Sequence, residues 1–399
     1  MKYDLIIVGG GIVGLAVALD ALKKKLNLKV LVLEKEPTIA QHQSKHNSGV
    51  IHSGLYYKPG SLKAINCIKG YRKLLDFCQD ENIKHEVCGK LVVATTVDEI
   101  PRLQELYHRG IANGLSGLKL LNNEEITEYE PFCRGVKALF VPQTGIVNFT
   151  SIAKCYAQKF SDLGGQVNCS EEVKNINLSG NKIEVITESR TWVGKSVVTC
   201  GGVHSDSLAL NTIPNLPIRI LPFRGEYYKL NPSAEKLVKN LIYPVPNPSF
   251  PFLGVHFTRM IDGGFECGPN AVLSFAKEGY NKYDFDLQQA WNIVSWPGFY
   301  KIVAKYWRPG MEEFYRSNKK SAFVKALQRL IPEIKADDLS IGDSGVRAQA
   351  CDIKGRLLDD FDIRINRNII HVCNAPSPAA TSSLAIAEII SDRVLQIIN

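Results

Sequence analysis

A β-rich run leading through a glycine turn into a helix, a second buried strand ending in paired glycines, and a closing strand, turn and helix predict an α/β fold. The implied architecture is a Rossmann-like nucleotide-binding domain interrupted by a second, α+β domain on a mostly antiparallel sheet. At 399 residues the chain is too long for one small core, so two or three domains are expected. The expected boundaries are 1–78, 147–214 and 340–399 for the nucleotide-binding domain, with 79–146 and 215–339 for the second.

Each element has its own warrant. KYDLIIV (2–8) is a short β run, and GIVGLAVALDALKKK after it has helical periodicity. LKVLVLEKE (28–36) is a second β run ending in acid, which completes a βαβ unit. SLKAINCIKGYRKLLDFCQDENI reads as a long amphipathic helix. From Val87 the character changes to short β runs such as GKLVVATT, loops, and one helical stretch around Glu99–Asn113. IVNFTSIAKCYAQKFSDLGGQVNC returns to helix then strand, with Gly164-Gly165 as the stop. KSVVTCGG is a buried strand. Residues 216–339 read as Pro- and aromatic-rich short β runs, with helices near Phe285–Ser295 and Ser321–Leu330. NIIHVCNAPSPAATSSLAIAEIISDRVLQII closes as strand, small-residue turn and helix.

Bulk composition excludes several classes. Hydrophobic content of 45% and charged content of 22% are those of an ordinary globular protein. The net charge of +8 suits an anionic cofactor, an anionic substrate or an anionic membrane surface. No basic block is interleaved with aromatics, so no nucleic acid partner is expected. Ten scattered cysteines without CxxC pairs argue for free thiols in a reducing, cytoplasmic setting and against a metal site. Leu5–Leu19 is apolar, yet it falls short of the roughly 20 residues a membrane helix needs. A soluble or at most peripheral protein, at the inner face of a membrane, is therefore expected.

The first chemical motif is Gly9-x-Gly11-x-x-Gly14 between strand and helix. It combines a tight turn, close backbone approach to a pyrophosphate and helix–strand packing. Glu34 follows 20 residues after Gly14, where a carboxylate accepts from a ribose hydroxyl and repels a 2′-phosphate. Lys35 stands beside it at the cofactor, and Glu36 is expected to be a solvated strand end. The motif alone leaves FAD and NAD open.

The second is HNSGVIHSGLYYKPGSLKA (46–64), dense in polar chemistry. In a flavoprotein this loop passes along the pyrophosphate to the ring: Ser48-Gly49 lets the backbone approach, and His52, Tyr56, Tyr57 and Lys58 offer a base, hydroxyls and a positive charge.

That stretch, with LPFRGEYYKL, PFLGVHFTRMIDGGFECGPNAV, SGVRAQACDIKGRLLDDF and HVCNAPSPAATSS, resembles the L-2-hydroxyglutarate oxidase/dehydrogenase branch of the D-amino-acid-oxidase-like FAD oxidoreductases. The resemblance spans Tyr3 to about Ala387. It implies FAD, oxidation of (S)-2-hydroxyglutarate to 2-oxoglutarate, and electrons passed to dioxygen or a membrane quinone. It places Gly9, Gly11, Gly14 and Glu34 at the ADP moiety, Val173 at adenine, and Gly201 and Gly202 at a second glycine turn. It also sets Arg347 over the flavin as the holder of a substrate carboxylate. Relatives carry a further glycine-rich turn where this chain has 374–381, so Pro378, Ala379 and Ala380 must permit the same approach. His204 replaces an aromatic. His46 lies near a histidine that some members bond covalently to flavin; with different flanks here, a hydrogen bond near the ring is expected.

A 2-hydroxy dicarboxylate needs cations for two carboxylates and a base for the hydroxyl proton. Arginine meets a carboxylate as a planar fork. Arg347 is expected at the α-carboxylate and Arg259 at the distal one, with Lys58 or Arg224 in reserve; Arg224 has Glu226 as an alternative partner. A histidine, with its ordinary pKa of about 6.5, suits the base, and the candidates are His52 and His256. Two alternatives stay open: an FAD oxidase of an amino acid, secondary amine or glycerol 3-phosphate, and a non-catalytic nucleotide-binding or RNA-modification accessory protein.

Overall fold

The computed structural model describes residues 2–180, 182–247 and 252–398. Its first sheet has eight strands. The parallel centre runs Ile369–Asn374, Thr191–Thr199, Lys2–Val8, Val30–Leu33 and Gln166–Asn168, with Leu5 opposite Val30, Leu31 opposite Gln166 and Val197 opposite Ile369. Antiparallel hairpins extend it through Val173–Ser179, Lys182–Thr187 and Asp362–Asn366.

Both faces of the first strand are buried, and its alternation divides the core. Leu5 and Ile7 pack with helices Ile12–Lys24, Phe149–Asp162 and Ser383–Ile398. Ile6 and Val8 pack beneath the hairpin strands with Ile176, Val185 and Trp192. A period of two buried on both sides is the mark of a central parallel strand.

The second sheet has nine strands and is mostly antiparallel. Its order is Val272–Leu273, Ile218–Leu230, Phe265–Gly268, His256–Arg259, Ile242–Pro244, Lys90–Ala94, Lys137–Val141 and Lys119–Asn122. Leu339–Asp352 pairs along its length with Ile218–Leu230, Leu230 opposite Leu339 and Ile218 opposite Asp352. That strand was expected to open the last piece of the nucleotide-binding domain, and its pairing sets it in the other sheet. Three short strands, Val50–Ile51, Gly145–Val147 and His85–Glu86, form a small third sheet.

One element departs from the sequence expectation. Residues 297–318, read as Pro- and aromatic-rich β runs, form a 22-residue helix, Pro297–Asn318, between helices Leu287–Val294 and Lys320–Leu327. Tyr306 leaves helical geometry (φ −117°, ψ 15°), three residues before Pro309. Proline lacks an N–H and its ring collides with the carbonyl four residues back, so the helix kinks there. Its apolar side chains largely face outward, which hides the usual helical signature.

Candidate functional site

The two sheets meet at one cavity of about 1420 Å³, lined from both. This exceeds the roughly 300–1,000 Å³ of an ordinary small-ligand pocket, leaving room for an extended dinucleotide and a small acid.

The first sheet supplies the nucleotide end. A Cβ on Gly9 would sit 2.4 Å from the Cys200 carbonyl oxygen, and one on Gly14 would sit 2.1 Å from the Gly9 carbonyl oxygen. Both positions therefore require glycine. A Cβ on Gly11 would meet nothing nearer than Ser44 Oγ at 3.4 Å, so there the backbone lies open to the cavity. The helix beginning at Ile12 has no acid in its first turn, and its positive end is left for an anion. Glu34 Oε2 accepts from the Gly10 N–H at 2.6 Å and Oε1 from the Glu36 N–H at 3.0 Å. These bonds fix the carboxylate at the cavity wall with lone pairs left for a sugar hydroxyl.

Val173, Gly201, Gly202, Lys35, His46, Ser48, Pro378, Ala379 and Ala380 all line the cavity. Gly49 does not. It takes φ +64°, and a Cβ there would sit 2.6 Å from the Val147 carbonyl oxygen, so its freedom serves packing of the third sheet. The residues present fit an adenine dinucleotide: glycine cradle, helix terminus, acid, and a small-residue turn before the final helix.

Glu36 is not a solvated strand end, because a strap from the second sheet reaches it. Lys35 Nζ lies 2.7 Å from Glu36 Oε1 and 2.5 Å from Glu278 Oε1, and His42 Nε2 lies 2.8 Å from Glu36. His204 Nε2, at 2.7 Å, also meets Glu278, which accounts for the histidine that replaces an aromatic. Tyr280 on the same strap packs at a tilt against His46 with ring centroids 4.4 Å apart, and its hydroxyl lies 3.0 Å from His42 Nδ1. Lys277 and Asp206 close the strap's root with a buried ion pair at 2.5 Å.

The second sheet supplies the other end. Tyr227, Tyr243, His256 and Arg347 project from strands of this sheet into the cavity, as do His52, Tyr56 and Tyr57 from the early loop. Arg347 lies over Gly225, where a Cβ would sit 3.0 Å from Nη1, and donates to the Asn270 carbonyl at 3.1 Å. Among the described residues it has no ion-pair partner, and burial pushes its pKa down. His256 stacks on Tyr243 at 3.8 Å, and its Nδ1 is 2.8 Å from the Gly254 carbonyl oxygen. A carbonyl only accepts, so Nδ1 carries the proton and Nε2 is the acceptor. His52 Nε2 lies 3.2 Å from Ser377 Oγ. Burial pushes both histidines down to about 3; Lys90 and Lys63 add to the effect at His52, and Arg347 and Lys90 add to it at His256. Both are neutral at pH 7.

Three cations expected at the substrate lie elsewhere. Arg259 pairs with Glu86 at 2.5 Å and does not line the cavity. Arg224 bonds Glu226 at 3.1 Å and donates to the Asn281 carbonyl at 3.0 Å, so its charge is consumed locally. Lys58 is an exposed turn residue whose carbonyl accepts from Ser61. Lys63 does line the cavity, 5.1 Å from the Tyr57 ring centroid, but is tied to Asp359 at 3.0 Å. Sequence reasoning also passed over Tyr227, Tyr243 and the strap.

A family model described as FAD dependent oxidoreductase (DAO) matches residues 4–393. The chain is 52% identical over 397 residues to L-2-hydroxyglutarate dehydrogenase of Indibacter alkaliphilus, covering 99% of this chain and 100% of that protein. It is 45% identical over 412 residues to the mitochondrial L-2-hydroxyglutarate dehydrogenase of Homo sapiens, covering 99% and 89%. Among solved structures, FAD-bound L-alpha-glycerophosphate oxidase from Mycoplasma pneumoniae superposes with a TM-score of 0.80 at 24% identity, covering 99% and 95%. Glycine oxidase from Geobacillus kaustophilus does so with 0.75 at 15% identity, again over 99% and 95%.

Proposed function

Because the chain belongs to the DAO family of FAD dependent oxidoreductases, we propose that it oxidises (S)-2-hydroxyglutarate to 2-oxoglutarate. One observation carries the reading: a single cavity joins the glycine cradle to a half-buried arginine without an ion-pair partner among the described residues and two neutral histidines. The relatives named for this substrate, 45–52% identical over nearly the whole chain, support it.

Gly9, Gly11, Gly14, Glu34, Val173, Gly201, Gly202 and the 378–380 turn would hold the cofactor. Bound there, FAD supplies the acceptor for the hydride that leaves the α-carbon. Arg347 takes the α-carboxylate: the protein neutralises none of its charge by direct pairing, so a dry site is kept for an anion. The hydroxyl proton passes to His52 and His256. A charge on His256 lowers the readiness of His52 to take one, so the two share a single proton. A bound dianion raises their affinity for that proton towards neutral pH, which matches the base to its task.

The test is anaerobic bleaching of the bound flavin by (S)-2-hydroxyglutarate with release of 2-oxoglutarate. Bleaching by glycine, sarcosine or glycerol 3-phosphate instead would transfer the protein to another substrate.

We also propose that reoxidation takes place at an anionic membrane surface carrying quinone, with dioxygen as the slower acceptor. No described helix is long and apolar enough to cross a bilayer. The kinked Pro297–Asn318 helix and its neighbour nevertheless expose Leu287, Trp291, Tyr300, Trp307, Met311 and Phe314, with Lys301, Lys305 and Arg308 alongside. Aromatics flanked by cations are the composition of a helix lying in a bilayer interface.

A further inference from the structure

The two histidines at the acid end differ in what stands behind them, and the inference drawn from this rests on the reaction proposed above. His256 Nδ1 donates to the Gly254 carbonyl, 2.8 Å away. A carbonyl accepts but has no proton to hand on, so that side is a dead end. His52 Nε2 meets the Ser377 hydroxyl instead, at 3.2 Å. A hydroxyl both accepts and donates, and Ser377 also hydrogen-bonds the hydroxyl of Tyr57.

The turn that carries Ser377 holds His52 in place as well. Thr381 Oγ1 accepts from the His52 N–H at 3.1 Å, and the Cys67 thiol donates to the His52 carbonyl at 3.2 Å. His52 lines the cavity, and its Nδ1 has no partner among the described residues. Ser377 and Tyr57 line the cavity too. Ser377 is exposed, and Tyr57, half-buried, leads into the exposed turn 58–60. Burial pushes the Tyr57 phenol well up, so it remains a neutral hydroxyl. Burial and the charges of Lys90 and Lys63 disfavour a positive charge on His52. A proton taken up there has to move on.

We propose that Ser377 relays the substrate's hydroxyl proton from His52 to Tyr57, and so to water at the 58–60 turn. The substrate O–H bond breaks and its proton joins Nδ1 of His52. The Nε2 proton passes to Ser377 Oγ, the serine's own proton to Tyr57 Oη, and the phenol's proton to water. The electron pair of the C–H bond leaves with the hydride, so each of the three residues ends neutral. Exchange with water after product release returns the imidazole proton to Nε2. Ser377 acts through His52, as a positioning residue.

The experiment compares holoenzyme carrying Ser377→Ala, Ser377→Thr, Tyr57→Phe or the pair S377A and Y57F with the unaltered protein. The measurement is stopped-flow, anaerobic flavin reduction by L-2-hydroxyglutarate. S377A should slow reduction about 10- to 100-fold, while S377T keeps most of the rate and Y57F loses a smaller part. The double variant should be no slower than S377A, because two links of one relay fail together. Millimolar imidazole should restore much of the S377A rate by taking the proton from His52 itself. Glutarate should bind S377A within about twofold of the parent by calorimetry, since no substrate contact is removed.

An unchanged rate in S377A, multiplied losses in the double variant, failure of imidazole to rescue, or weakened glutarate binding would each overturn the relay. Should L-2-hydroxyglutarate fail to reduce the parent, the functional reading falls instead. The same comparison on whichever hydroxy acid or amino acid does reduce it then judges the relay. If none does, both readings fall.

Discussion

Lys90, buried beneath the Tyr56 and Tyr243 rings, makes a prediction about pH. Burial pushes its pKa down to about 7, against about 10.4 in an unfolded chain. The groups around it are Tyr56, Tyr243, Cys67, His52 and His256, none of them anionic at pH 7. Between the two pKa values the unfolded chain binds the extra proton, so stability rises with pH from about 7 to about 10. Urea unfolding of the parent should show that rise, and K90M should lack it. Arg347→Lys keeps a charge but removes the fork, and should reduce kcat/KM for L-2-hydroxyglutarate about 100-fold in steady-state assays. At this scale the sequence was legible where a residue type is rare in its setting: Arg347 in GVRAQA, and His52 in the polar loop. It misassigned Arg259, whose partner Glu86 lies far along the chain in another sheet; for Arg224, held in reserve, the structure shows the alternative partner, Glu226 two residues on.

Among the elements, the strap around 277–281 belongs to the stretch between two strands of the second sheet, yet its partners Lys35, His42 and His204 belong to the nucleotide end. The hydrogen bond from His204, and then that from Lys35, holds the Glu278 carboxyl down to about 2. A carboxylate with a lowered folded pKa stabilises above its unfolded value of about 4.3, and that contribution is lost as pH falls towards 2. Flavin release, followed by fluorescence, should therefore quicken between pH 5 and 3, and Glu278→Gln should release flavin about tenfold faster at pH 7. The kinked helix carries its own expectation. Replacing Trp291 and Trp307 together by Ser should abolish flotation with anionic phosphatidylglycerol vesicles while leaving flavin bleaching in solution unchanged. That helix escaped the sequence reading because Pro309-Gly310 breaks its periodicity and its apolar residues point outward.

For the molecule as a whole, the parallel centre was legible because both its faces are buried and its strands are short apolar runs followed by glycine turns. The order of the second sheet was not. Its pairings join Lys90–Ala94 to Ile242–Pro244 and Ile218–Leu230 to Leu339–Asp352 across more than a hundred residues, and no local pattern encodes such partners. We propose that these two sheets define the two domains, with the chain crossing between them several times. Flavin bound at the seam should stabilise both together. Removing it should lower Tm by a few degrees in one transition, corresponding to about 2.7 kcal/mol at a hundredfold excess over Kd.

The cradle stands on one sheet, while Tyr227, Tyr243, His256 and Arg347 all stand on the other. The glycine cradle and most side chains at the acid end are thus borne by different sheets. A handful of exchanges along neighbouring strands can retool the catalyst for a new metabolite while its redox engine runs untouched.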